Sequence, residues 1–136
     1  MDNLPINSPE IFGDADQHDT AIGTTVLSLV DDAPAPNPAR PRPAVKRLLQ
    51  GDGANFIVFN FCPGQDLPDH KAAHPITVQC ISGELDFECD GKRIPMKPGE
   101  IYHLRAYVPH AVYCPDQAPE ENNILLLTML TGERHQ

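Results

Sequence analysis

Fifteen prolines and nine glycines are spread through these 136 residues, and their spacing limits the fold more than any other feature. Proline lacks the amide that a helix needs and clashes with the turn before it, and glycine inside a helix costs about 1 kcal/mol relative to alanine. Long helices have little room, whereas short strands joined by turns do. The densest run, "DDAPAPNPARPRP" at 31–43, has five prolines in thirteen residues and is restricted to extended, polyproline-like chain. It reads as a stiff strap lying on the surface or reaching a neighbouring subunit. The other reading is a proline-rich ligand for another domain.

The rest of the chain is patterned for strands. Residues 1–21 are polar and broken by proline, and read as a loosely ordered arm. "GTTVLSLV" (23–30) alternates β-branched and polar residues and is expected to be a strand. "AVKRLLQ" (44–50) and "NFIVFNFC" (55–62) flank a turn at "GDGA", and "ITVQCI" (76–81) ends at Ser82-Gly83, with "ELDFEC" (84–89) next. Asp90-Gly91 is the strongest hairpin signal, because both turn positions must tolerate positive φ. "KRIPM", "EIYHL" (100–104), "HAVYC" (110–114) and "NILLLTML" (123–130) complete the set. Short strands with no capped, 3.6-period segment predict an all-β sandwich or closed barrel. The expected organisation is an arm at 1–43, a barrel at 44–130 and a tail at 131–136.

Apolar residues make up 40% of the chain, enough for the core of one domain. The net charge of −9 argues against nucleic acid and against an anionic membrane surface as partners, since both require clustered Lys and Arg. The longest apolar run, "ILLLTML" at 124–130, is far short of the ~20 residues of a membrane helix. "MDNLPINSPE" has neither the basic nor the apolar region of a secretory signal. Cys62, Cys80, Cys89 and Cys114 form no C-x-x-C pair and are expected to be free thiols of a cytoplasmic protein.

Two spacings carry the functional reading. Gly64 is followed by five residues and then His70, and Gly83 closes that stretch; Gly99 leads through "PGEIYHLRAYVPHAV" to His110. In these spacings the chain resembles the cupins, small RmlC-like barrels of the double-stranded β-helix (jelly-roll) type. The resemblance covers roughly residues 44–130. It implies a barrel that holds one divalent transition metal (iron, manganese, nickel, copper or zinc) on a His-x-His pair, a glutamate and a later histidine, with a small-molecule ligand on the open positions. Dioxygenase or isomerase chemistry would follow. The cupins also pair commonly through N-terminal strands, which, with the apolar segment at 23–30, implies a homodimer.

The chain departs from that scheme at four positions. The second histidine position is Ala72, the glutamate position is Ile76, and Arg105 and Tyr107 replace the proline and glycine of the second motif. His70 and His110 are the metal ligands that remain. His74 could join them only if "KAAHP" bulges, because on a regular strand it lies ~13 Å from His70 at ~3.3 Å per residue. Pro75 after it makes a bulge reasonable. Gln79 is a further candidate, although by alternation it has the opposite parity to His70 and faces outward. His103 reads as a core or interface histidine, and His18 and His135 lie in polar ends. Val78, Leu104, Val112 and Leu126 are expected to line a pocket with His70 and His110. The alternative to a metal enzyme is a metal-free, non-catalytic barrel that binds or senses a small molecule.

Overall fold

The computed structural model describes residues 3–132. Eleven strands form in chain order: β1 (Ile6–Asn7), β2 (Gln17–His18), β3 (Ala44–Gly51), β4 (Ala54–Phe61), β5 (Asp66–Ala72), β6 (Ile76–Ser82), β7 (Asp86–Cys89), β8 (Lys92–Pro95), β9 (Tyr102–Leu104), β10 (His110–Tyr113) and β11 (Asn123–Met129). A 3-10 turn at Pro9–Phe12 is the one helical element among the described residues. No described helix is long and apolar enough to cross a membrane. The strands make two sheets, β1-β5-β10-β7-β8 and β2-β3-β4-β11-β6-β9. Their inner faces enclose the core.

Strand period sets what fills that core. Ile76, Val78 and Cys80 of β6 alternate with less buried Thr77 and Gln79. They meet Ile57, Phe59 and Phe61 of β4 and Leu125, Leu127 and Met129 of β11, while Phe87, Ala72 and Val112 close the space from the other sheet. β11 is paired on both sides, with β4 and with β6, and all seven of its residues are buried. Asp90 and Gly91 take φ of 54° and 74°, so the β7–β8 hairpin turns as its sequence requires. Gly83 is also left-handed (φ 77°), and a Cβ there would run into Asn123, whose Cα would lie 2.7 Å away. Glycine is therefore required at that corner.

Residues 23–30 form no strand. Leu27 and Leu29 instead pack beside Leu48, Val58 and Ile124 on the outer face of the larger sheet. The edge of β3 that such a strand would need is occupied by β2, where Gln17 pairs with Leu49. Residues 3–21 are likewise no loose arm: β1 adds in parallel to β5, and β2 to β3. Buried Arg47 fixes the stretch between them. Its Nε and Nη2 donate to Asn55 Oδ1 (3.1 and 2.7 Å), and its Nη1 donates to the Gly13 carbonyl (3.2 Å). The proline-rich strap has few amides, so the barrel satisfies its carbonyls with side chains. Asn60 Nδ2 donates to Pro34 O (3.0 Å), and Gln65 Nε2 donates to Asn37 O and Arg40 O (both 2.8 Å).

Candidate functional site

β5 carries His70, and a flaw in its ladder aims that side chain. Val112 of β10 pairs with Leu67 and His110 pairs with His70, so three steps on β5 oppose two on β10. This is a β-bulge over Pro68–Asp69. Strict alternation would put Leu67 and His70 on opposite faces, and the extra residue brings them to the same one. Proline fits the bulge because it has no amide to give to a ladder. The bulge expected at "KAAHP" therefore lies earlier in the chain. β5 itself was absent from the strands read from sequence, since Pro68 and two aspartates obscure its alternation.

His70 and His110 stand opposite one another, with ring centroids 4.2 Å apart and planes inclined at 58°. The Phe87 ring stacks on the far side of His110 at 5.9 Å. His110 is only 3% exposed. His70 Nδ1 lies 2.8 Å from Pro68 O, and His110 Nδ1 lies 3.0 Å from Val108 O. A carbonyl can only accept, so each Nδ1 carries the proton and donates it, and each Nε2 keeps an unshared pair. Burial lowers the pKa of His70 and, with His70 beside it as a second cause, pushes that of His110 down to about 4. Both rings are neutral at ordinary pH.

The other candidates lie elsewhere. His74 falls in the bend between β5 and β6, within electrostatic reach of Glu10 on the 3-10 turn. Gln79 alternates with the core-facing Val78 and Cys80 and points to the outer face of its sheet. His103 is exposed on β9, and His18 is exposed on β2. His135 and residues 133–136 of the expected tail lie outside the described residues. The residues expected to line an internal pocket are packed instead. Val78, Leu104 and Val112 belong to a continuous apolar core, and Leu126 has the parity of outward-facing Ile124.

A metal of the kind the resemblance implies needs three or four converging donors. The two imidazoles suit one half of such a site. The other half is occupied by Ala72 and Ile76, 4% and 1% exposed and without donor side chains. Among the described residues no group of three His, Cys, Asp or Glu side chains is placed to hold an ion. The residues present do not form a resident metal site by themselves.

What opens to solvent is a small cleft of about 190 Å³ beside His70, lined in part by Asn7 of β1 and Arg42 of the strap. Nothing in the spacing of the motifs pointed to those two residues. A larger cleft of about 510 Å³ runs between Pro36, Pro38 and Glu120, with no histidine in its lining. The smaller one adjoins the His70–His110 pair and is the better candidate.

Comparison with known proteins agrees with the architecture. Residues 57–121 match the family described as "Cupin domain". A 73-residue stretch is 37% identical to an L-ectoine synthase from Saccharophagus degradans, covering 51% of this chain and 55% of that one. The matched stretch thus spans about half of that relative. Among solved structures, an uncharacterized protein with a double-stranded β-helix domain from Klebsiella pneumoniae superposes with a TM-score of 0.63 at 20% identity, over 80% of this chain and 92% of that one. A conserved protein of unknown function from Streptococcus pyogenes gives 0.61 at 22%, over 81% and 90%. With its two facing sheets, its family match and these neighbours, the chain carries a small cupin domain of the double-stranded β-helix type.

Proposed function

We propose that this protein is a small-molecule-binding cupin that meets its ligand at the His70–His110 pair without a resident metal. One observation carries the reading. Both Nδ1–H groups are committed to backbone carbonyls, which leaves two neutral imidazoles with Nε2 lone pairs, and His70 adjoins an open cleft. Such a pair accepts hydrogen bonds from a ligand hydroxyl or amine, in keeping with the few placed polar groups of small-molecule sites. The half-length likeness to an ectoine synthase supports the barrel and leaves the ligand to this chain's own residues. Oxygenase chemistry requires a fuller donor set than the one present, so the proposal stops at binding.

A second reading is favoured by the same tautomer. Histidines that ligate metals commonly donate the other ring N–H to a carbonyl. Iron, manganese, nickel, copper or zinc could then sit on the two Nε2 atoms, with the ligand supplying further donors. Elemental analysis after loading with each ion and desalting separates the readings. The expected result is no stoichiometric metal. One retained equivalent, lost in both His70→Ala and His110→Ala but kept in His74→Ala, would replace the first reading with the second.

A further inference from the structure

We infer that the N-terminal arm and the strap complete this ligand site, and that the ligand is a short carboxylate with a hydrogen-bond donor at its other end. The inference rests on the reading that the ligand meets His70. It adds residues outside the matched 57–121 segment. The cleft is lined by Pro5 and Asn7 at the start of the chain, Arg42 from the strap, and Leu67, Asp69 and His70 from β5. Parallel pairing sets Asn7 level with Ala72, on the face that Ala72 shares with His70.

The lining holds charges of both signs. Arg42 is its one guanidinium. Nη1 donates to Asp66 Oδ1 (2.7 Å) and, more weakly, to Pro41 O (3.4 Å). Asp66 thereby steadies the group and leaves Nε–H and Nη2–H side by side. That fork grips a carboxylate through two parallel hydrogen bonds, which a lysine could not do. In the same lining, Asp69 and the Nε2 of His70 are both acceptors, so a ligand that meets them brings a hydroxyl or an ammonium. Leu67 and Pro5 add apolar surface to the lining. A cleft of 190 Å³ equals about six water volumes at ~30 Å³ each, which suits a chain of a few carbons. Asn7 offers both a donor and an acceptor and can serve either end.

The test is a titration of the full-length protein with 4-hydroxybutyrate, 4-aminobutyrate, butyrate and butylamine. Binding is followed by NMR at the Arg42 Nε–H and at the His70 ring. The expected result is saturable movement of both signals with the first two probes, about tenfold weaker binding of butyrate and none of butylamine. Arg42→Gln should weaken binding by at least tenfold, and Asn7→Ala by several-fold with an unchanged thermal midpoint. Arg42 is half exposed and Asn7 pairs with β5 through its backbone, so neither change threatens the fold. Binding of butylamine, no binding of any carboxylate, or full affinity in Arg42→Gln overturns the inference. Affinity lost in His70→Leu but kept in Arg42→Gln leaves the histidine reading standing and removes this one. Affinity lost in Arg42→Gln but kept in His70→Leu removes the histidine reading and, with it, the two-ended ligand.

Discussion

β11 and β5 occupy similar places in their sheets, each with a strand on either side, and they differ in every other respect. β11 pairs with β4 at seven consecutive positions, and all seven of its residues are buried. β5 pairs with β10 at three positions around a bulge, and only Ala72 of its seven residues is buried. The regular ladder surrounds the apolar core. The broken one turns His70 inward, places it against His110 and leaves an opening beside them. In this barrel, the most regular packing and the proposed ligand site fall in opposite sheets, and the proposed site lies where strand regularity fails.

The largest expected effect tests that division. Phe61, fully buried in the core, should lose about 3–5 kcal/mol of stability as Phe61→Ala, from the lost transfer energy and the cavity left behind. His70→Leu should change stability by less than about 1 kcal/mol, because a half-buried ring is replaced by an apolar side chain of comparable volume. Urea unfolding of both variants, with matched m-values, measures the difference. Equal losses would mean that the two sheets do not divide the work in this way.

The same contrast explains how much of the molecule could be read from its sequence. β6 and β11 follow clean apolar patterns, and the Asp90-Gly91 turn names its own geometry, so the all-β barrel was legible. The pairing of His70 with His110 was legible as a spacing. The residue that aims His70 was not, because a bulge is a property of two strands in register and the pattern of one strand does not contain it. Residues 23–30 misled for a related reason: they have strand composition, but β2 had already taken the edge they needed. His74 is close to His70 in sequence, whereas the bend before Pro75 carries it toward Glu10. Asn7 and Arg42 reach the cleft from more than twenty residues upstream of the motifs, beyond any local signal.

A smaller effect should appear as pH falls. The folded pKa of His110 is depressed to about 4 from 6.5, chiefly by burial, and that of His70 is lowered in the same direction. Below pH 6.5 the unfolded chain binds protons that the folded one refuses, so the stability is fully present above that value. It is lost progressively toward pH 4, at up to about 1.4 kcal/mol per pH unit for His110. His110→Phe should flatten the fall between pH 6.5 and 5, as read from urea midpoints at each pH. A slope unchanged by the substitution would show that carboxylates elsewhere govern the acid limb and that the pair is not held neutral by burial.

The smallest expected effect concerns the loop that closes over the broken side. Tyr107 adopts φ 66°, a left-handed conformation costly for a bulky side chain, and its amide donates to Ala72 O at 2.8 Å. This is the position where the resembled motif has glycine, so the backbone keeps a shape whose usual residue has been replaced. The ring is 54% exposed and contributes little burial in return. Asp90 and Asn122, the other described non-glycine residues with positive φ, are types that tolerate it. In Tyr107→Gly the left-handed cost of roughly 1–2 kcal/mol disappears, while the added freedom of glycine in the unfolded chain takes back about 0.5–1 kcal/mol. The net expectation is a stabilisation of up to about 1.5 kcal/mol, read as a rise in the thermal midpoint with the His110 ring signals unmoved. A lower midpoint would mean that the tyrosine ring holds the loop against the barrel and that the recognition side is braced more firmly than its ladder indicates.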